Sequence, residues 1–261
     1  MELKCKINGE EVTLRAEPTA RLRDVLYRAG YRSVRDSDDA EGFAGSDTIV
    51  FNGKLKYANF ILFYQAEGAE IRTAESLLNG RELNNVQKAM VAAGIVQSAY
   101  NAPAAALILT WLLEQKPNPT REEIKDVLTS IFIRDAGYEH YYLAVKLATE
   151  LRDFGEFRSE IAPSFRPNLE VVGKPCGKID GTALVSGEPV FVEDKVPENA
   201  WCLHVLRSPF ASAYIKSIDT SAAEQIEGVV KVVTCFDVPQ IKFPTAGHPW
   251  STDPHHQDVA A

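Results

Sequence analysis

The chain has 261 residues, 45% of them hydrophobic and 25% charged, which is the composition of an ordinary globular protein. Its formal net charge is −8, so no basic face is available to neutralise phosphates, and we expect no nucleic-acid partner. The longest apolar run covers only residues 103–113, and the N-terminal MELKCKING has no apolar core. The run is too short to span a bilayer, and a signal peptide needs an apolar core near the N-terminus, so the sequence predicts a cytoplasmic protein with no membrane contact.

The four cysteines lie far apart, at positions 5, 176, 202 and 235. A secreted disulfide framework or a C-x-x-C metal knuckle would show short cysteine spacings. We therefore expect reduced, half-buried cysteines that behave as small apolar residues.

The first 76 residues carry two β-hairpin signals and one helix signal. Asn8-Gly9 follows the alternating ELKCKI, and Asn52-Gly53 separates TIVF from KLKYANFILFY, which predicts strands on both sides of each turn. Between the hairpins, RLRDVLYRAG repeats apolar residues at helical spacing and ends in a glycine, as helices commonly do. A hairpin, a packed helix and further strands predict a β-grasp domain of the α+β class over residues 1–76.

From residue 77 to residue 154 the apolar residues recur at helical spacing. One apolar stripe covers residues 83–93, and residues 103–115 are nearly all apolar, which is typical of a buried helix. The sequence TREE at residues 120–123 is a capping box that opens a third helix, and a fourth is predicted over residues 140–152. Short connections between these segments predict a four-helix bundle.

The last third of the chain returns to short strand-like runs after a linker at residues 155–169. The strand-like runs from residue 169 onward are LEVVG, PVFVED, WCLHVLRSP, AYIKSID and GVVKVVTCFDVP, in the segment 170–261. From residue 243 the sequence is aperiodic, which predicts a loop. These strands are too few to close a sheet of their own. We expect an incomplete domain that needs another chain or a continuation of this one.

Three motifs resemble those of the xanthine dehydrogenase/aldehyde oxidase family of molybdenum hydroxylases. The segment SDDAEGFAGSDTIVFNGKLKYANF is similar to the family's ferredoxin loop G-C-G-E-G-x-C-G-A-C and the strands after it. VQSAYNAPAA and IRDAGY resemble V-Q-C-G-F-C-T-P-G-M and C-R-C-x-G-Y of its helical 2Fe–2S domain. The run VVGKPCGKIDGTALVSGEPVFVEDKVP is similar to the start of its molybdenum-binding part, which implies an α/β hammerhead-type segment. The resemblance covers residues 1–240, and the first loop matches a cluster-less subgroup related to hypoxanthine oxidase and selenate-reductase-type molybdenum subunits.

All eight positions at which this family places iron-ligating cysteines carry other residues. These positions are Asp39, Ala44, Asp47 and Asn59 for the first cluster, and Ser98, Asn101, Ile133 and Asp135 for the second. Iron–sulfide cores need soft thiolate donors, which methyl groups, carboxylates and amides do not replace. The sequence therefore predicts that no 2Fe–2S cluster and no other metal is bound by this chain.

An alternative is a hard cation, Ca²⁺ or Mg²⁺, held by the acidic residues of the first loop. These are Asp36, Asp38, Asp39, Glu41 and Asp47. The D-x-D-x-D-G spacing of calcium loops is not present, so we favour a solvated loop whose aspartates cap local backbone N–H groups. The histidines and carboxylates between residues 248 and 258 are likewise interpreted as a surface loop, because two adjacent histidines do not face one way.

Two residues of the helical part are implied by the resemblance to contact a molybdenum cofactor. In the family, the glutamine of V-Q-C-G-F-C reaches the pterin, and the last cysteine of C-R-C lies beside it. Gln97 and Asp135 stand at these positions. A carboxylate can accept hydrogen bonds from the pterin, so the helical domain would keep a docking role for molybdopterin without passing electrons. The alternative is that Gln97 caps a helix or faces solvent.

The resemblance implies the N-terminal part or a small subunit of an oxidoreductase of the xanthine dehydrogenase type, with purine substrates such as xanthine or hypoxanthine. Its partners would be a large molybdopterin-binding domain or subunit, together with flavin and iron–sulfur subunits that remove the electrons. The sequence carries no nucleophile or phosphate-loop motif, so we expect no complete active site in this chain alone. The alternative function is an orphan protein-binding scaffold derived from a ferredoxin-like module.

Overall fold

A computed structural model of the protein describes most of the chain as two compact units, Met1–Ala200 and Trp201–Ala261. The described residues are 1–36, 43–97, 100–150, 169, 177–188, 191–197, 199–238, 243–244 and 257–258. No helix within these ranges is long and apolar enough to cross a bilayer. The predicted linker at residues 155–169 lies outside the described residues except for its last residue.

A five-stranded sheet forms the N-terminal part of the first unit. Its strands are β1 (Glu2–Ile7), β2 (Glu10–Arg15), β3 (Thr48–Phe51), β4 (Lys54–Tyr57) and β5 (Glu70–Arg72). Their order is β2-β1-β5-β3-β4, and β1 runs parallel to β5 while the other pairs are antiparallel. The helix α1 (Leu22–Arg28) packs its buried leucines and valine on this sheet, which is the β-grasp arrangement that the sequence predicts.

Both predicted hairpins are confirmed, because each Asn-Gly pair adopts positive φ angles. Asn8 and Gly9 have φ of 53° and 92°, and Asn52 and Gly53 have φ of 49° and 77°. Such angles match the twist of the flanking strands in a two-residue hairpin, and asparagine and glycine tolerate them best.

The predicted strand KLKYANFILFY is wrong beyond its fourth residue. Ala58–Phe60 and Phe63–Ala66 are 3₁₀ helices instead. The backbone N–H groups at this point have acceptors other than a neighbouring strand. Ala58 N donates to Asp47 O at 3.1 Å, and Asn59 N donates to Asp47 Oδ2 at 2.7 Å. These donors are used by the preceding loop, so they are not available to a strand partner.

Four helices follow, as the sequence predicts. They are α2 (Asn85–Ala92), α3 (Ala102–Gln115), α4 (Arg121–Leu128) and α5 (Tyr138–Glu150). Helix α3 is the buried one, and most of its residues contribute to the larger hydrophobic core. The predicted capping box at α4 is confirmed, because Thr120 N donates to Glu123 Oε2 at 2.8 Å and Glu123 N donates to Thr120 Oγ1 at 3.3 Å.

A further short helix, α6 (Gly181–Ser186), packs against the bundle and the β-grasp domain. Gln87 of α2, fully buried, donates from Nε2 to Val185 O at 3.3 Å. Gly187 ends α6 with a φ of 83°, and a Cβ at this residue would lie 2.8 Å from Ser33 Cβ. This close approach fixes the residues before 188 against the N-terminal domain.

Within the described residues of the C-terminal third, the predicted strands PVFVED, WCLHVLRSP, AYIKSID and GVVKVVTCFDVP do not form. Val192–Lys195 is a 3₁₀ helix, and residues 201–238 contain no strand and one short helix, α7 (Ser221–Glu224). A strand needs a partner for its backbone groups, and the described part of this region supplies none. In the tail, where the sequence predicts a loop, β6 (Phe243–Pro244) and β7 (Gln257–Asp258) pair in antiparallel fashion.

Three segments of the first unit meet at a buried ion pair. Arg35 Nη2 lies 3.1 Å from Asp194 Oδ2, and neither side chain is more than 1% exposed. Tyr27 Oη donates to Asp194 Oδ1 at 2.8 Å, and the Arg35 guanidinium lies over the rings of Phe191 and Tyr100 at 4.4 and 5.3 Å. Burial by itself would raise the pKa of Asp194, but the hydrogen bonds from Tyr27 and Arg35 hold it below its ordinary value.

We expect Arg35→Met to destabilise the protein by about 3–5 kcal/mol, because it leaves the Asp194 carboxylate buried without its cation. The measurement is urea unfolding at pH 7. Since the pKa of Asp194 is lowered by folding, the stability that the pair contributes is present above the unfolded aspartate pKa of about 3.9 and is lost as the pH falls through the folded value.

The matched control is the double variant Arg35→Met/Asp194→Leu, which removes both charges. It should recover most of the stability that Arg35→Met loses. Equal unfolding curves for the wild type and Arg35→Met at pH 7 would contradict a role of this pair in holding the segments together.

Candidate functional site

The structure brings together two of the four first-cluster positions. Asp47 is fully buried and Asn59 is 5% exposed. The backbone N–H of Asn59 donates to Asp47 Oδ2 at 2.7 Å, although the two residues are 12 apart in the chain. Ala44 is half-buried in the same loop, and Asp39 lies outside the described residues.

A polar network extends from this pair to the helix α1. Asn59 Nδ2 donates to Asp36 Oδ1 at 3.1 Å, and Asp36 Oδ2 lies 3.8 Å from Arg23 Nη1 and 3.9 Å from Arg21 Nη2. Burial raises the pKa of Asp47, although the N–H of Asn59 opposes the shift. The charge of Asp36 raises the pKa of Asp47 further, and the charge of Arg23 lowers it.

The predicted solvated acidic loop is wrong for Asp47. Its side chain is buried, and the N–H group that donates to it belongs to Asn59, twelve residues further along the chain. Asp36 is half-exposed, and Asp38, Asp39 and Glu41 lie outside the described residues. Among the described residues, no three His, Cys, Asp or Glu side chains are placed to hold a metal ion.

The second-cluster positions lie at the start of α3 and between α4 and α5. Asn101 is 2% exposed and precedes α3, where its carbonyl oxygen accepts from Ala105 N at 3.0 Å. Ile133 and Asp135 are half-buried in the α4–α5 connection, and Ser98 lies outside the described residues. Burial raises the pKa of the Tyr141 phenol, and the nearby charge of Asp135 raises it further.

The side chains at the cluster positions do not fit a 2Fe–2S centre. Asp47 and Asn59 present hard oxygen and amide groups, and Ala44 and Ile133 present only carbon. Iron in these centres takes thiolate sulfur, or imidazole in one variant. The described residues of both loops contain neither.

Gln97 is exposed and folds back onto the end of α2. Its Nε2 donates to Gly94 O at 2.6 Å, which is the helix-capping role that the sequence left open. That bond uses one amide hydrogen, so the amide oxygen and the second hydrogen remain for a ligand. The exposed amide of Gln97 therefore fits a hydrogen-bonding ligand such as a pterin.

The two loops that carry the cluster positions touch each other. Phe132 N donates to Phe43 O at 2.8 Å, and Tyr57 Oη donates to Ser130 O at 3.4 Å. Gly45 has a φ of 64°, and a Cβ there would lie 2.4 Å from Ser130 O. The first loop thus packs directly on the α4–α5 connection, at a position where no side chain fits.

Sequence reasoning missed the arginines of this site. The side chain of Arg23, on the helix α1, is only 12% exposed and faces Asp36. The one signal available was the concentration of arginines around residues 21–35 in an acidic chain.

Two other predictions about reactive side chains have mixed outcomes. Cys5 is buried and Cys235 half-buried, as expected, but Cys202 is exposed because it lies in the exposed segment after residue 200. Cys5 and Cys202 are free thiols, and Cys176 lies outside the described residues. The tail histidines at 248, 255 and 256 also lie outside them.

The chain has a ferredoxin-type sheet domain joined to a helical bundle, with a short helix packed on both. This architecture is that of the iron–sulfur-type modules of oxidoreductases. Comparison with known families agrees. A 2Fe–2S binding domain model matches residues 73–146, and the aldehyde oxidase and xanthine dehydrogenase a/b hammerhead domain model matches residues 186–259.

Individual relatives give the same result. The chain is 46% identical to the probable hypoxanthine oxidase XdhD of Escherichia coli over 92% of its own length and 25% of that protein. It is 32% identical to the nicotinate dehydrogenase small FeS subunit of Eubacterium barkeri over 57% of its length and 94% of that subunit. The aldehyde oxidoreductase structure from Desulfovibrio desulfuricans superposes with a TM-score of 0.78 at 27% identity, over 91% of this chain and 27% of that one.

The chain belongs to the xanthine dehydrogenase/aldehyde oxidase family. The predicted fold class, α+β with 2Fe–2S-type and hammerhead-type parts, is confirmed. The chain spans about a quarter of the length of the Escherichia coli relative.

We expect Gly45→Ala to be more destabilising than a glycine substitution at an open turn. Any alanine at a positive φ costs about 1 kcal/mol, but at Gly45 the new Cβ also meets Ser130 O, which adds about 1–3 kcal/mol of overpacking. Gly80→Ala is the matched control, because Gly80 has a φ of 66° and nothing within 4 Å of the added Cβ. Thermal unfolding of both variants compares the two costs, and equal losses would contradict close packing of the two loops.

Proposed function

We propose that this chain is the N-terminal part or a small subunit of a molybdenum hydroxylase, in which it positions the cofactor-binding part without carrying electrons. The observation that carries this proposal is the donor chemistry at the cluster positions. Asp47 and Asn59 are hydrogen-bonded to each other where the family has thiolates, and Ile133 has no donor atom.

The match to a 2Fe–2S binding domain is compatible with the absence of clusters. A family match reports the shape and the apolar pattern of the helices, which this chain retains. Cluster binding depends on thiolate side chains, which the described cluster positions lack. The fold is therefore kept while the ligand set is replaced.

A purine substrate is proposed from the Escherichia coli relative, whose name is that of a probable hypoxanthine oxidase. The reaction class is insertion of a water-derived oxygen at an electron-poor carbon, with removal of two electrons. Those electrons would leave through a flavin or iron–sulfur subunit, because this chain would offer no redox centre of its own.

Gln97 and Asp135 are proposed to hold the pterin part of the molybdenum cofactor. Gln97 presents an exposed amide next to the capped end of α2, and Asp135 is a half-buried carboxylate in the α4–α5 connection. When bound, the cofactor would supply the oxygen-transfer chemistry. The amide and the carboxylate would orient it through hydrogen bonds to its edges.

The exposed apolar side chains after residue 200 support a large molybdopterin-binding partner. Leu203, Leu206 and Tyr214 are 88%, 94% and 99% exposed, respectively. Exposed apolar residues at this density mark surfaces that another protein part covers.

We propose domain boundaries at residues 76, 154 and 169, with the last segment completed by that partner.

The purified chain is expected to be colourless and free of iron and labile sulfide. The ligand positions of both cluster sites lack cysteine, so anaerobic reconstitution with iron and sulfide should produce no visible absorption band. The nicotinate dehydrogenase small FeS subunit, prepared in parallel, is the positive control. Two irons and two labile sulfides per site would overturn the proposal.

Gln97→Ala is expected to lower the molybdenum cofactor content of the assembled enzyme, because one hydrogen-bonding anchor is removed. The control is Gln115→Ala, an exposed glutamine at the far end of α3, about 20 Å along that helix. Cofactor content is measured on the purified complex. An unchanged content in Gln97→Ala would end the docking role of this residue.

The scaffold alternative makes a different prediction for co-purification from the native source. A molybdenum-containing partner supports the enzyme component, whereas partners without molybdenum favour a protein-binding scaffold. The exposed apolar residues after position 200 fit both, so the metal analysis decides between them.

A further inference from the structure

Three buried polar atoms at the first cluster site have no hydrogen-bond partner among the described residues. They are Arg23 Nε, Asp47 Oδ1 and Asn59 Oδ1. Asp47 and Asn59 are more than nine-tenths buried, and the Arg23 side chain is 12% exposed. Buried polar groups normally have a hydrogen-bond partner, so we expect a bound molecule to supply the partners of these atoms.

The three atoms belong to one connected group of side chains. Asn59 N binds Asp47 Oδ2 at 2.7 Å, Asn59 Nδ2 binds Asp36 Oδ1 at 3.1 Å, and Asp36 Oδ2 lies 3.8 Å from Arg23 Nη1. The charge of Arg23 is also near enough to lower the pKa of Asp47 slightly against the larger effect of burial. The side chains that carry the three unpaired atoms are therefore connected neighbours.

The hydrogen-bonding requirements of the site are one acceptor and two donors. Arg23 Nε–H needs an acceptor, whereas the two Oδ1 atoms each need a donor. A metal cation would satisfy the oxygens but would lie close to the arginine charges and leave Nε–H unpaired. A proton on Asp47 would also leave Nε–H unpaired, and an anion would be repelled by the Asp47 carboxylate.

A water molecule supplies the matching set, two O–H donors and one lone pair. Buried waters typically make about three hydrogen bonds to groups that are otherwise unsatisfied. We propose that one buried water molecule is bound at the first cluster site, accepting from Arg23 Nε and donating to Asp47 Oδ1 and Asn59 Oδ1. The inference rests on the proposed absence of a cluster from this chain.

This water gives the site a structural role. It joins α1, which carries Arg23, to the strand-entry residue Asp47 and to the 3₁₀ turn of Asn59. In the family, a cluster with its four cysteines links loop and turn at this place. The hydrated network replaces that link with hydrogen bonds.

A crystal structure of the chain at a resolution of about 1.5 Å, with anomalous data at the iron edge, tests the proposal. The expected result is one density peak without anomalous signal, about 2.7–3.2 Å from each of the three atoms. No peak and no iron would overturn the water site alone. Iron density would overturn the proposed function as well, so the two failures are distinguishable.

Arg23→Lys provides the second test, because it keeps the charge near Asp36 and removes the Nε–H donor. The water peak should disappear, and the Tm should fall by about 2–4 °C. Arg21→Lys is the matched control, since Arg21 also faces Asp36 but its Nε donates to Asp24 at 3.1 Å. The control should keep the peak and the Tm, whereas a peak that persists in Arg23→Lys would overturn the proposal.

Discussion

The first cluster positions place polar residues inside the protein, where their hydrogen-bonding groups must be satisfied without water from the bulk solvent. Burial of an unpaired carboxylate or amide costs free energy comparable to the loss of a hydrogen bond or more. The backbone N–H of Asn59 donates to Asp47 Oδ2 at 2.7 Å and Asn59 Nδ2 donates to Asp36, which satisfies part of that requirement. The remaining buried atoms, Asp47 Oδ1 and Asn59 Oδ1, are the ones that the proposed water molecule would satisfy.

Two close contacts join the β-grasp domain to other parts of the first unit. Gly45 approaches Ser130 too closely for any side chain, and Arg35 pairs with Asp194 across 159 residues of chain. Both contacts tie the β-grasp domain to later segments of the first unit, and neither involves a cluster position. The positioning of the domains therefore depends on interactions that need no cluster, which is the physical basis for proposing a docking role.

The predictions that succeeded rested on local signals. The Asn-Gly hairpins, the Thr120 capping box and the apolar period of α3 each depend on residues within a few positions of one another. The predictions that failed depended on distant partners. Asp47 is buried by residues far along the chain, and Arg35 finds Asp194, which periodicity cannot reveal. The strand predictions after residue 200 failed for the same reason, since pairing partners for these residues are not among the described part of the chain.

The exposed residues after position 200 and the altered cluster loops point to the same kind of role. Alternating apolar residues such as Leu203 and Val205 fit a pleated sheet, but both are more than half exposed. Their burial would need backbone and side-chain partners from another protein part. The match of residues 186–259 to a hammerhead domain indicates that such partners belong to a domain of that kind. A chain with unpaired strand-like sequence after residue 200 and a well-packed module before it is suited to assembly. Electron transfer would then rest entirely with the parts that it joins.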